Sequence, residues 1–220
     1  MAAYRFSLHE DRIAPGGWLE IATPAAHRLL YCVDGSLAVG GGSLGDLSPL
    51  ARDEAALSSG LARIETGHAG ALVLRWELAP ADAAEEVEEA GVATGLLMER
   101  SIEAPEEGER LLRLDAVALP AGGADPSHIL PGPSLRVLAS GAVSVALGNR
   151  STPHRPGGAW FVKEGEEAAV SAEDTEPALL LRAALLPTSL AGESAIFYAE
   201  RGDGEGPPPA RVYVDGVILL

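Results

Sequence analysis

Four residues in the second half of the chain have types and spacing suited to ligand chemistry: His128, Ser134, Arg136 and Trp160. Along an extended strand every second side chain faces the same way, so counting in twos from His128 brings Leu130, Ser134, Arg136 and Leu138 to one face. The turn Pro131-Gly132-Pro133 leaves open a shift of that phase by one residue. A guanidinium is a planar fork matched to a carboxylate or phosphate. Buried alone it is expensive, so an inward Arg136 needs either a protein carboxylate or a ligand anion; an Arg136 on the outer face needs neither. In the ligand-binding case His128 and Ser134 are the flanking donors, and Trp160 is either a flat apolar wall or a core residue.

The other histidines, His9, His27, His68 and His154, stand singly and without metal-ligand spacing. His154, between Pro153 and Arg155, reads as a loop residue. His27 and Arg28 are neighbours before a strand, and only one of them can face inward. Cys32 is the sole cysteine, which excludes an internal disulfide, and in the run Leu29-Leu30-Tyr31-Cys32-Val33 it reads as a buried, inert thiol. The sequence contains no nucleophile triad, phosphate loop or catalytically spaced pair of carboxylates.

The elements that position these residues occur twice. Gly16-Gly17 … Gly35-Ser36-Leu37-Ala38-Val39 returns 106 residues later as Gly122-Gly123 … Gly141-Ala142-Val143-Ser144-Val145. A second anchor, Leu72-Val73-Leu74-Arg75 … Pro80, matches Leu179-Leu180-Leu181-Arg182 … Pro187. Short Leu- and Val-rich runs broken by Gly, Pro, Asp or Ser predict an all-β chain of two similar domains. The expected strands are Tyr4 to Ser7, Trp18 to Ala22, Arg28 to Val33, Ser36 to Val39, Leu61 to Ile64 and Ala71 to Glu77. In the second copy they are Arg110 to Leu119, Leu135 to Leu138, Ala142 to Leu147, Gly158 to Val162, Ala168 to Ser171 and Leu179 to Leu186. Asp82 to Ala90 and Asp53 to Ser58 are short helix candidates. Gly202 to Pro209 reads as a flexible loop before a last strand, Arg211 to Leu220. This gives an N-terminal domain over 1–80, an acidic linker over 81–109 carrying Glu85, Glu86, Glu88, Glu89, Glu103, Glu106 and Glu107, and a C-terminal domain over 110–220.

A net charge of −16 repels phosphates and argues against a nucleic-acid partner. No apolar run has membrane-spanning length and no basic leader precedes one, so the expectation is a cytoplasmic protein with no membrane partner.

Pro120 to Gly141 resembles the first signature of the cupin superfamily, and Pro156-Gly157-Gly158-Ala159-Trp160-Phe161 resembles the start of the second. The resemblance implies two tandem double-stranded β-helix (jelly-roll) barrels, a bicupin, similar to uncharacterised bacterial bicupins with a clear C-terminal cupin and a worn N-terminal one. It also implies pairing into a homodimer. The superfamily's metal ligands fall on His128, Leu130, Ser134 and about Ala168 in the second copy, and on Ala22, Pro24, Arg28 and about Leu61 in the first. One ligand in four does not hold a divalent ion, which needs three or four, so no metal and no other cofactor is expected. Three readings follow: a metal-free bicupin binding a small organic acid or other anionic metabolite in the C-terminal barrel, a metal-dependent dioxygenase or isomerase, and a structural protein with filled barrels.

Overall fold

The computed structural model describes residues 1–41, 47–105, 107–198 and 208–220. The chain divides into two compact units, Met1–Gly108 with Leu220 and Glu109–Leu219. Among the described residues there is no α-helix, only a 3₁₀ turn at Thr188–Leu190, and no helix long and apolar enough to cross a membrane.

The first unit contains β1 (Ala2–Gly40), β2 (Ser48–Ala51), β3 (Ala55–Pro80) and β4 (Glu86–Ala104), in the order β2-β1-β3 with β4 on the other part of β1. Strands β1 and β3 are long ladders bent by register shifts, among them those between Ile13 and Trp18 and between Ala22 and His27. The short strands expected for this half lie along them.

The stretch read as an acidic linker is instead strand β4, which pairs with Ala2 to Ala22 of β1. Its side chains are nearly all exposed. A strand that gives its backbone to the sheet and its side chains to water carries no apolar alternation for a sequence reading to find. Neither helix candidate forms: Ala55 to Ser59 pair with β1, and Glu86 to Ala90 belong to β4.

The second unit contains β5 (Glu109–Leu119), β6 (Ala124–Ile129), β7 (Ser134–Ser140), β8 (Val143–Leu147), β9 (Arg150–His154), β10 (Ala159–Val162), β11 (Ala168–Ala172), β12 (Ala178–Leu186), β13 (Phe197–Tyr198) and β14 (Ala210–Leu219). Two five-stranded antiparallel sheets form, ordered β10-β7-β12-β5-β14 and β13-β6-β11-β8-β9. His154 ends strand β9 rather than lying in a loop, with its ring 4.9 Å from that of Trp160. Of the loop read over 202–209, residues 202–207 lie outside the described residues; the strand expected after it is β14.

The sequence repeat has a steric cause. Gly35 and Gly141 both adopt positive φ, +79° and +81°, and a Cβ there would lie 2.2 Å from Gly70 O and 2.4 Å from Pro177 O. Each is a corner pressed against the backbone of a returning strand, where no other residue fits.

The interior of the second unit is layered. Leu138, Val117 and Leu180 pack with Val143, Val145, Trp160, Val162 and Val170 in one apolar cluster, and Leu111, Leu130, Ala184 and Leu186 form another. Along β12 the inward series runs Leu180, Arg182, Ala184, Leu186, so a charged row lies between two apolar ones.

Replacing Gly141 with Ala forces both a strained φ and a backbone collision. Gly148, with φ +53° and nothing within 4 Å of where a Cβ would lie, supplies the strain alone. Gly148→Ala is expected to cost about 1–2 kcal/mol, and Gly141→Ala at least about 2 kcal/mol more. Urea unfolding of the two variants measures the difference; equal midpoints would contradict the packing described.

Candidate functional site

The charged row crosses one sheet from strand to strand. Trp160 on β10 stands opposite Arg136 on β7, Arg136 opposite Arg182 on β12, and Arg182 opposite Asp115 on β5. Residues directly opposite in an antiparallel ladder share a face, so these four project the same way. Arg136 is fully buried and Arg182 is 1% exposed.

Ser134 and His128 hold Arg136 in place. Its Nε donates to Ser134 Oγ at 3.1 Å, and its Nη1 to His128 Nε2 at 3.2 Å. His128 Nδ1 lies 2.8 Å from the Pro126 carbonyl, which can only accept, so Nδ1 carries the proton and Nε2 offers its lone pair to Arg136. Burial first, and then the Arg136 charge, push the His128 pKa down to about 4, so the ring is neutral. Arg136 itself is pushed down to about 9, by burial first and then by Arg182, and stays charged at neutral pH.

Arg136 Nη2 has no hydrogen-bond partner, and neither do Arg182 Nε and Nη1. Arg182 Nη2 lies 2.8 Å from Asp115 Oδ1, an ion pair whose alignment is not that of a hydrogen bond. Asp125, on β6, is buried with Oδ2 unpartnered. It accepts from Tyr198 Oη at 3.3 Å and lies 3.5 Å from His128 Nδ1, yet no hydrogen bond or ion pair joins it to either arginine. Burial raises its pKa, against the pull of the two guanidiniums. Arg113 differs: it donates to Asp215 and to the carbonyls of Glu193 and Leu190, tying the 188–195 loop to β5 and β14.

A cavity of about 390 Å³ opens beside this row, lined by Arg113, Asp115, Arg182, Ser194, Ile196 and Val212 among others. None of the four residues singled out in the sequence lines it. His128, Ser134 and Arg136 are brought together behind Arg182. Trp160 joins the apolar cluster, with Nε1 buried and unpartnered. Sequence reasoning missed Arg182, Asp115, Asp125 and Tyr198. Arg182 was readable from its two-residue spacing to Leu180 and Ala184; Asp125 and Tyr198 lie on short strands with no pattern.

The first unit shows what a compensated row looks like. Arg28 donates to Glu77 at 2.6 Å, and Arg75 grips Asp11 at 2.7 and 3.3 Å while Thr94 also donates to Asp11. By ladder position Arg75 corresponds to Arg182, the pair Arg28–Glu77 to Ser134–Ala184, and Leu30 to Arg136. The second unit thus keeps two buried arginines and loses the glutamate. His27 bonds Ser59 and leaves the inward place to Arg28. Cys32 is buried and its thiol is pushed up to about 11 by burial, as an inert thiol requires.

No protein-family model matches the sequence, and no curated protein is similar to it. Solved structures match its fold. The crystal structure of Lactobacillus farciminis oxalate decarboxylase in a formate complex superposes with a TM-score of 0.65 at 11% identity, over 88% of this chain and 79% of that one. A tryptophan-to-phenylalanine variant of Bacillus subtilis oxalate decarboxylase gives 0.64 at 13% identity, over 88% and 71%. The chain has the bicupin fold. The Bacillus subtilis enzyme has Mn(II) centres. In this bicupin the ligand positions of the C-terminal barrel hold His128, Leu130, Ser134 and Ala168, with Ala168 directly opposite His128. These residues do not fit a divalent cation: the one histidine already spends its free lone pair on Arg136, whose charge would repel the ion. Among the described residues no three His, Cys, Asp or Glu side chains gather as a metal site.

The two rows should respond oppositely to loss of charge. Glu77→Gln strands Arg28 and is expected to cost about 3–5 kcal/mol. Arg136→Met removes a buried charge that has no ion-pair partner, at similar length, so it should be neutral or stabilising by about 1 kcal/mol or more. Denaturant titration checks both; a loss at Arg136→Met as large as at Glu77→Gln would show that Arg136 is fully compensated within the protein.

Proposed function

We propose that the C-terminal barrel is a metal-free binding site for a small molecule bearing a carboxylate or comparable anionic group. The observation that carries this reading is the pair of opposed, buried guanidiniums whose Arg136 Nη2 and Arg182 Nε and Nη1 have no partner, with Arg182 on a cavity wall. Such N–H groups cost free energy until an acceptor meets them. A carboxylate supplies several lone pairs in one plane, the geometry a guanidinium fork matches. Ser134 and His128 then act as positioning residues that aim Arg136, rather than as donors to the ligand. The formate complex of a protein with the same fold supports carboxylate as the ligand class.

A metal-dependent enzyme is the second reading, favoured by the Mn(II) centres of a structural neighbour. The environment of His128 weighs against it. Among the described residues no metal-ligand set gathers at the site, and the chemistry its arginines favour is capture.

A charge-assisted hydrogen bond of this kind contributes about 1.5–3 kcal/mol, a ten- to hundredfold effect on affinity. Thermal-shift screening with small carboxylates and sugar phosphates should therefore raise the melting temperature of the native protein by about 5 °C near saturation. Arg136→Met and Arg182→Met should show no such rise. Equal shifts in all three proteins would return both arginines to a structural role.

A further inference from the structure

The ligand's charge follows from the charges already in the barrel. Besides the neutral His128, two arginines and two aspartates come within electrostatic reach of one another, Arg136, Arg182 and Asp115 on one sheet and Asp125 on the other, while Arg113 is paired with Asp215. Asp115 is spent on Arg182. Asp125 is not spent on Arg136; its Oδ2 is a buried acceptor with no donor, just as Arg136 Nη2 is a buried donor with no acceptor. With both aspartates ionised, two arginines and two aspartates sum to zero, so a monoanion entering alone would leave a buried excess of negative charge. A ligand that brings a cation with its carboxylate satisfies both orphans and keeps the interior neutral.

Resting on the anion-site reading above, we propose that the ligand of the C-terminal barrel is a zwitterion of the α-amino-acid class, its carboxylate held by Arg136 and Arg182 and its ammonium by Asp125. Tyr198 Oη, donating to Asp125 Oδ1, and His128, beside Oδ2, fix the carboxylate that receives the ammonium. The cavity of about 390 Å³ reaches this group at Arg182 and Asp115, and Arg136 and Asp125 lie behind them.

Isothermal titration of the full chain with glycine, glycolate and acetate, three ligands of closely similar size, tests the proposal. Glycine is expected to bind at least about tenfold more tightly than acetate, with glycolate between them, because a second charge-assisted bond forms. Asp125→Asn should erase that preference while leaving acetate binding intact. Acetate binding as tightly as glycine to the native protein, and lost in Arg136→Met, would overturn the zwitterion and leave the anion site standing. No binding of any of the three would overturn the anion site itself. The native-protein comparison decides the matter even where Asp125→Asn fails to fold.

Discussion

A guanidinium taken out of water has to find negative charge, and both halves of this chain are built around that requirement. Each unit buries arginines on the inner face of a sheet, Arg28 and Arg75 in the first and Arg113, Arg136 and Arg182 in the second, flanked along the strands by leucine, valine and alanine. The apolar rows exclude the water that would otherwise solvate the charge, which makes any uncompensated N–H costly there. The two units meet the cost differently. In the first, Glu77 and Asp11 answer Arg28 and Arg75. In the second, the position corresponding to Glu77 is Ala184, and one arginine moves by a ladder step to position 136, opposite Arg182.

That difference turns a duplicated scaffold into two unlike interiors. The first unit pairs each buried arginine with a carboxylate, although Arg28 Nη2 and Arg75 Nη1 are left without a hydrogen bond. The second leaves Arg136 and Asp125 without a mutual ion pair, and Arg182 with two unpartnered donors on a cavity wall. The same residue that opens the site also closes off metal chemistry, because Arg136 takes the His128 lone pair that a cation would need. On the proposed reading, binding and metal exclusion are two consequences of one side chain.

The fold was legible wherever steric or apolar constraint left a trace. Gly35 and Gly141 recur because a Cβ would meet backbone, and the inward phase from Ser134 through Arg136 to Leu138 followed from strand alternation once β7 began at Ser134. Strand β4 was hidden because its glutamates face water and few of its side chains, Thr94 and Ile102 among them, turn inward. Strand β6 was hidden too: Ala-Asp-Pro-Ser-His-Ile reads as a turn, although it carries both His128 and Asp125. Of the site, Arg136 and its two aiming partners could be found by counting in twos. Arg182, Asp115 and Asp125 come from three other strands, and only their ladder registers and the facing of the sheets bring them together.

The central claim is that the paired guanidiniums form an anion seat. Anomalous diffraction from crystals of the full chain grown in bromide tests it most directly, because a heavy halide reports its own position. The account predicts a buried bromide peak in contact with Arg136 Nη2 and Arg182. A barrel without that peak, with the Asp125 carboxylate paired directly onto Arg136, would contradict it.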